Sequence, residues 1–157
     1  MILVDSDVLT EHLRGQTAAR DWLVSARQSS GPLAISVVSL TEIAGGMRSP
    51  ERREVMRLLG SMQRFEVTGQ VAWRAAILMQ EYRRSHSGIG LGDYLIAATA
   101  LTEGLELATL NIRRHPMFPE LAPLLTLPGG SSSRGNAALQ RCLICRNSPT
   151  RVRVRPR

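Results

Sequence analysis

Three carboxylates stand at the edges of apolar segments in this chain. Asp5 closes "MILVD", Glu42 lies in "SLTEIAGGM", and Asp93 precedes "YLIAATA". Asp7 and Asn111 hold similar places, one in "DSDVL" and the other directly after "LELATL". Asp5 is the sharpest case, because a carboxylate that ends an apolar strand is costly to desolvate without a compensating partner. The chain has no lysine, and the first arginine after Asp5 is Arg14. Clustered oxygen ligands are what hard divalent cations bind. Magnesium or manganese held by several carboxylates suits phosphodiester hydrolysis, since the metal activates a water and stabilises the leaving oxygen. Without the cation, such carboxylates should repel one another. Each residue taken singly also has a plainer role. Asp7 could cap the first helix, and Glu42 could complete an S-x-x-E capping box with Ser39. Asp93 could cap the helix it precedes, and Asn111 could be a turn residue.

Those side chains need elements to hold them. "MILVD" reads as a buried strand and "DVLTEHLRG" as a short helix closed by Gly15. "AARDWLVSAR" reads as a second helix, and "PLAIS" as a second strand after the turn "SSGP". "SLTEIAGGM" reads as a helix, and Ser49 and Pro50 open the next, with serine as cap and proline in the first turn. That helix runs to about Arg64, and "FEV" is a short strand. Between Thr68 and about Ser85, the residues Val71, Ala75, Leu78, Met79 and Tyr82 mark one buried helical face. "HSGIG" is a loop, and the helix after Asp93 ends at Gly104. Its small residues Ala97, Ala98, Thr99 and Ala100 allow tight packing on a sheet. "LELATL" is a fourth strand, and "NIRRHPMFPELAPLL" a loop with a short terminal element. Short strands alternating with helices predict an α/β fold with a parallel sheet and helical crossovers. Functional groups then gather just beyond the carboxyl ends of the strands. Asp5 and Asn111 both stand at such ends.

The net charge of +7 is not spread evenly. Residues 1–125 hold thirteen arginines and all thirteen acidic residues, so they are formally neutral. Residues 126–157 hold seven arginines and no acid, and begin with the Gly/Ser-rich "LPGGSSSRGN" after Leu125 and Thr126. The expected organisation is one domain over 1–125 and a disordered basic tail over 126–157. Cys142 and Cys145, both in the tail, make a lone C-x-x-C, which supplies two ligands where zinc usually takes four. No apolar run approaches the roughly 20 residues of a membrane span. "MILVDSDVL" has no basic region of the kind that opens a signal peptide, so a cytoplasmic location is the default. Trp22 and Trp73 read as core residues rather than base-stacking platforms, and Tyr94 reads as a packing residue. His12 and His86 read as surface residues, while His115 could meet a phosphate. Arg113 and Arg114 are better candidates for phosphate contact, with a solvated loop as the plainer reading. There is no glycine-rich phosphate loop and no dinucleotide fingerprint.

Four stretches in order, "MILVDSDVL", "ISVVSLTEIAGGM", "LGDYLIAATA" and "LATLNIRRHPMF", resemble the motif blocks of PIN-domain ribonucleases. The likeness is nearest to the VapC toxins of bacterial toxin–antitoxin pairs and covers about residues 1–125. It implies a PIN-like parallel β-sheet flanked by helices. It implies that Asp5, Glu42 and Asp93 form the catalytic, metal-holding acidic centre, with Asn111 a weaker ligand and Asp7 an auxiliary one. It further implies Mg²⁺- or Mn²⁺-dependent endonucleolytic cleavage of RNA, a cognate VapB-like antitoxin that blocks the site, and a homodimer. The fourth block often has aspartate where this chain has Asn111, so a second metal would be held more weakly. Two other readings use the same residues: a catalytically weakened PIN-fold protein that binds RNA or regulates, and an RNA-processing nuclease without an antitoxin.

Overall fold

The computed structural model describes residues 1–124. The expected disordered tail, with Cys142 and Cys145, lies outside the described residues. Four three-residue strands carry the sheet: β1 (Ile2–Val4), β2 (Ala34–Ser36), β3 (Gln63–Phe65) and β4 (Glu106–Ala108). Six α-helices connect them: α1 (Ser6–Leu13), α2 (Thr17–Ser30), α3 (Val37–Gly46), α4 (Arg52–Gly60), α5 (Gly69–Tyr82) and α6 (Leu91–Glu103). Short 3₁₀ turns occupy Ser49–Glu51 and Ile112–Arg114. The sheet is parallel throughout, in the order β3-β2-β1-β4.

Side chains on a strand alternate between its two faces, and that alternation sorts the core. Ile2 and Val4 of β1 and Ile35 of β2 turn toward α1–α4, where they meet Val8, Leu9, Leu23, Ile43, Val55 and Leu59. Leu3 and Ala34 turn the other way and meet Ile96 and Ala100 of α6, with Leu107 of β4. A third cluster joins Val71, Ala75 and Leu78 of α5 to Tyr94, Ala97 and Ala98 of α6. The result is a sheet with α1–α4 on one face and α6 on the other, where α6 is pressed between the sheet and α5. Ala97, Ala98, Thr99 and Ala100 are fully buried there, as their small size allows. Complete burial of Leu3, Leu9 and Ile96 contributes about 1.5–3 kcal/mol each.

Several boundaries differ from the sequence-based expectation, among them the start of α6, which begins at Leu91, so Asp93 lies inside its first turn and is not its cap. The cap of α3 is Ser36, whose hydroxyl accepts the Val38 N–H at 3.2 Å. Ser39 lies buried inside the helix, so no capping box joins it to Glu42. The cause is that β2 passes directly into α3, so the last strand serine becomes the cap. Ser49 opens a 3₁₀ turn rather than α4 itself, and Glu51 accepts the Arg48 N–H at 2.9 Å. The third strand is Gln63–Phe65, so it ends where "FEV" begins, because α4 stops at Gly60 and pairing sets Ala34 against Gln63. Trp73 is 73% exposed and not core, since it lies about 200° around α5 from Val71. Trp22 is half-buried against the α1–α4 core, and Tyr94 is buried as expected.

Candidate active site

Strand order places the site. Successive strands step from β1 to β2 to β3, and the chain then crosses to the far side of β1 to lay down β4. The reversal makes a switch point between β1 and β4, where parallel α/β sheets open a crevice beyond the strand ends. Val4 pairs with Ala108, so Asp5 and Thr109 leave the sheet side by side. The Asp5 N–H continues the ladder to the Ala108 carbonyl at 2.9 Å.

Asp5 is 5% exposed and is itself the cap of α1. Its Oδ1 accepts the Ser6 N–H at 2.7 Å. Its Oδ2 faces the Thr109 hydroxyl at 2.9 Å and Nε2 of His115 at 3.1 Å. Burial alone would push this carboxyl up, but the bonds from His115, Thr109 and Ser6 outweigh it and hold it below the usual carboxylate range. His115 is fully buried. It therefore supports Asp5 from within and is not a surface residue facing phosphate.

Asp7 does not cap α1; it sits in the first turn and reaches across to β4. Its Oδ2 accepts the N–H groups of Leu110 at 3.0 Å and Asn111 at 2.9 Å. The Thr109 hydroxyl stands 3.0 Å from the same oxygen. A hydroxyl carries one proton, so Thr109 serves Asp5 or Asp7 and never both. Burial first, and the neighbouring Asp5 charge second, push the Asp7 carboxyl above its ordinary value. Its Oδ1 is buried and has no partner among the described residues.

Glu42 lies on α3 and faces solvent. Its Oε2 accepts the Ser6 hydroxyl at 2.6 Å, so Ser6 ties Glu42 to the turn that Asp5 caps. The first turn of α6 presses on the same carboxylate: a Cβ at Gly92 would stand 2.9 Å from Glu42 Oε1. Asp93 lies in that turn, where its Oδ2 accepts the Gly90 N–H at 2.7 Å. Its Oδ1 stands 3.6 Å from Nη1 of Arg114. The N-termini of α1 and α6, each with partial positive charge, thus carry Asp5 and Asp93. Asn111 supports Asp7 through its backbone, and its side chain is exposed. Arg113 and Arg114 are exposed on the 3₁₀ turn after β4. Nothing in the sequence singles out Ser6, Thr109 or Gly92. The nearest signal is that Thr109 follows β4 as Asp5 follows β1.

This donor set fits a hard divalent cation. The side chains offer carboxylate oxygens, Asp7 Oδ1 lacks a partner, and Asp5 and Asp7 compete for one proton. Among the described residues, no three acidic, histidine or cysteine side chains close into a finished cage. Glu42 is turned to Ser6 and Asp93 to Gly90 and Arg114 instead.

The PIN domain profile matches residues 2–119. Ribonuclease VapC10 of Mycobacterium tuberculosis is 63% identical over 129 residues, which span 82% of this chain and 96% of that protein. Ribonuclease VapC19 of the same organism is 36% identical over 123 residues, 78% of this chain and 98% of its own length. Two solved structures share the fold. A toxin–antitoxin complex from Klebsiella pneumoniae superposes with a TM-score of 0.67 at 24% identity, covering 81% of this chain and all of that one (100%). DNA-bound VapBC from Salmonella typhimurium gives 0.65 at 20% identity, covering 79% and 98%. A matched profile that contains all the acidic side chains above, together with such identity along nearly the full length of two relatives, places the chain in the PIN-domain family, among the VapC ribonucleases.

Proposed function

We propose that this protein is an endoribonuclease and the toxin of a toxin–antitoxin pair, using Mg²⁺ or Mn²⁺ held by Asp5, Glu42 and Asp93. Asp7 is an auxiliary donor, and Asn111 a weaker one at the rim. The observation that carries this reading is the conflict at the switch point: Asp5 and Asp7 face one Thr109 proton, and Asp7 Oδ1 stands bare. Clustered carboxylates in that condition favour a cation over their own company. Bound there, the cation supplies neutralising charge for a phosphodiester and a more acidic water.

The chain's own groups do the rest. Ser6 N–H, Thr109 and His115 fix the Asp5 carboxylate, so its orientation is set before any ligand arrives. Ser6 and the bare α-carbon of Gly92 define where Glu42 stands. Arg114, and Arg113 beside it, offer guanidinium groups to the phosphates of a single strand. Among the described residues no helix is long and apolar enough to cross a membrane, and a cytoplasmic site of action suits an RNA substrate. The names of the ribonuclease relatives and of the toxin–antitoxin neighbours support RNA as substrate and a VapB-like protein as partner. The homodimer implied by the sequence likeness belongs to the same reading.

The test is cleavage of a mixed RNA pool with Mg²⁺ or Mn²⁺, with EDTA, and with Asp5→Asn. Cleavage should need the metal and vanish in the variant. Coexpression of a cognate VapB-like antitoxin should suppress it. Metal-independent cleavage, or Asp5→Asn cutting at the wild-type rate, would overturn the proposal.

A further inference from the structure

We infer that His115 is a positioning residue for the metal centre: it fixes the Asp5 carboxylate from behind, and its hydrogen bond sets the cation affinity of the site. This inference rests on the proposed metal-dependent nuclease reading. It starts from the three donors that Asp5 receives. Ser6 N–H is local and belongs to the helix cap. Thr109 has one proton, which Asp7 contests at nearly the same distance, 3.0 Å against 2.9 Å. His115 is the one long-range donor that the structure dedicates to Asp5, at 3.1 Å and across 110 residues of sequence.

The ring's surroundings point the same way. His115 is fully buried, and Nδ1 has no partner among the described residues. A buried polar ring costs free energy unless its polar atoms are used. Here a single bond uses it, and that bond ends on Asp5. Since an ionised carboxylate only accepts, Nε2 carries the proton of that bond. A group with a packing role alone would meet the same need as phenylalanine, without the polar cost. The turn that holds the ring is closed by its own backbone: the His115 N–H donates to Ile112 at 2.9 Å, and the Phe118 N–H to His115 at 3.1 Å. Preceding His115 in that turn, Arg114 reaches Asp93. Consecutive side chains of one short turn therefore hold carboxylates that come from β1 and from α6.

Groups behind a metal ligand orient it and raise its affinity, and their loss typically costs 10–100-fold in metal binding. The experiment measures Mn²⁺ binding by titration calorimetry on the full chain, with thermal melts alongside. His115→Phe keeps the ring and removes the donor; His115→Gln keeps a donor on a flexible stem. His115→Phe should melt cooperatively and bind Mn²⁺ about tenfold or more weakly, and His115→Gln should recover part of the loss. If His115→Phe does not melt cooperatively, His115→Met takes its place as the donor-free variant. A folded donor-free variant that binds Mn²⁺ like wild type overturns the inference. So does a His115→Gln variant no better than the donor-free one, because shape would then be the cause. Asp5→Asn separates the two levels. If it binds Mn²⁺ like wild type, the metal reading falls and this inference with it. If it loses binding while His115→Phe keeps it, only the role of His115 falls.

Discussion

Thr109 stands between two carboxylates with one proton to give, and the two are left in opposite conditions. Asp5 is buried but well bonded and is held below the usual carboxylate range; Asp7 is pushed above it by burial and by Asp5. The signs follow from linkage. A lowered carboxylate adds stability above its unfolded pKa, and that stability is lost as pH falls through the lowered value. A raised one favours folding only in acid, and that contribution is lost as pH rises through the raised value. In metal-free protein at pH 7, Asp5→Asn should therefore lower stability by about 1–2 kcal/mol as charge-assisted bonds are lost. Asp7→Asn should raise the melting temperature by several degrees, a gain that disappears on moving well into acid. Thermal melts with EDTA at pH 7 and about pH 4 check both. Equal shifts of one sign would mean that the two carboxylates do not compete. Mutual repulsion was legible in the sequence as a general expectation for the acidic trio. In the structure it falls instead on Asp7, outside that trio, while Asp5 is lowered, because His115, 110 residues away, bonds to Asp5 and not to Asp7.

At the scale of elements, the sequence carried the strands, the helices and the parallel sheet, because each has a strong local cause. "MILVD" has to be buried, Thr68 caps α5, and Gly104 ends α6 with a positive φ of 64°. The acidic positions were legible too, since a carboxylate at the end of an apolar run is locally conspicuous. What stayed hidden depends on how elements meet. Ser36 rather than Ser39 caps α3 because β2 leads straight into the helix. His115 looks like a loop residue until β4 is laid beside β1. Gly92 looks like a helix-weakening glycine until α6 meets Glu42. Its role gives a test. Alanine is the better helix former by up to about 1 kcal/mol, and the clash it meets is with the mobile end of Glu42. Gly92→Ala should therefore leave the melting temperature unchanged or raised. It should also displace Glu42 and cut RNA cleavage by roughly tenfold or more. Wild-type cleavage in this variant would show that the position of Glu42 is immaterial.

On the scale of the whole molecule, charge is partitioned along the chain, with residues 126–157 carrying an excess equal to the net charge of +7. Arginines without acidic neighbours neutralise RNA phosphates and release counterions. Replacing Arg151, Arg153, Arg155 and Arg157 by serine should flatten the salt dependence of RNA binding, by roughly 0.7 log units for each phosphate no longer neutralised. The cleavage positions should not change. A slope identical to wild type would show that these arginines do not touch RNA. The joining of β1 to β4 reaches further, into the time at which the protein is made. Asp5 leaves the ribosome well before its partners Thr109 and His115, which follow it by 104 and 110 residues. Everything between them must be synthesised, and must cross from one side of β1 to the other, before those bonds exist. A nascent chain that holds Asp5, Glu42 and Asp93 but stops short of β4 has the acids and no site. A nuclease built this way cannot act on the message being translated until nearly all of its domain has emerged.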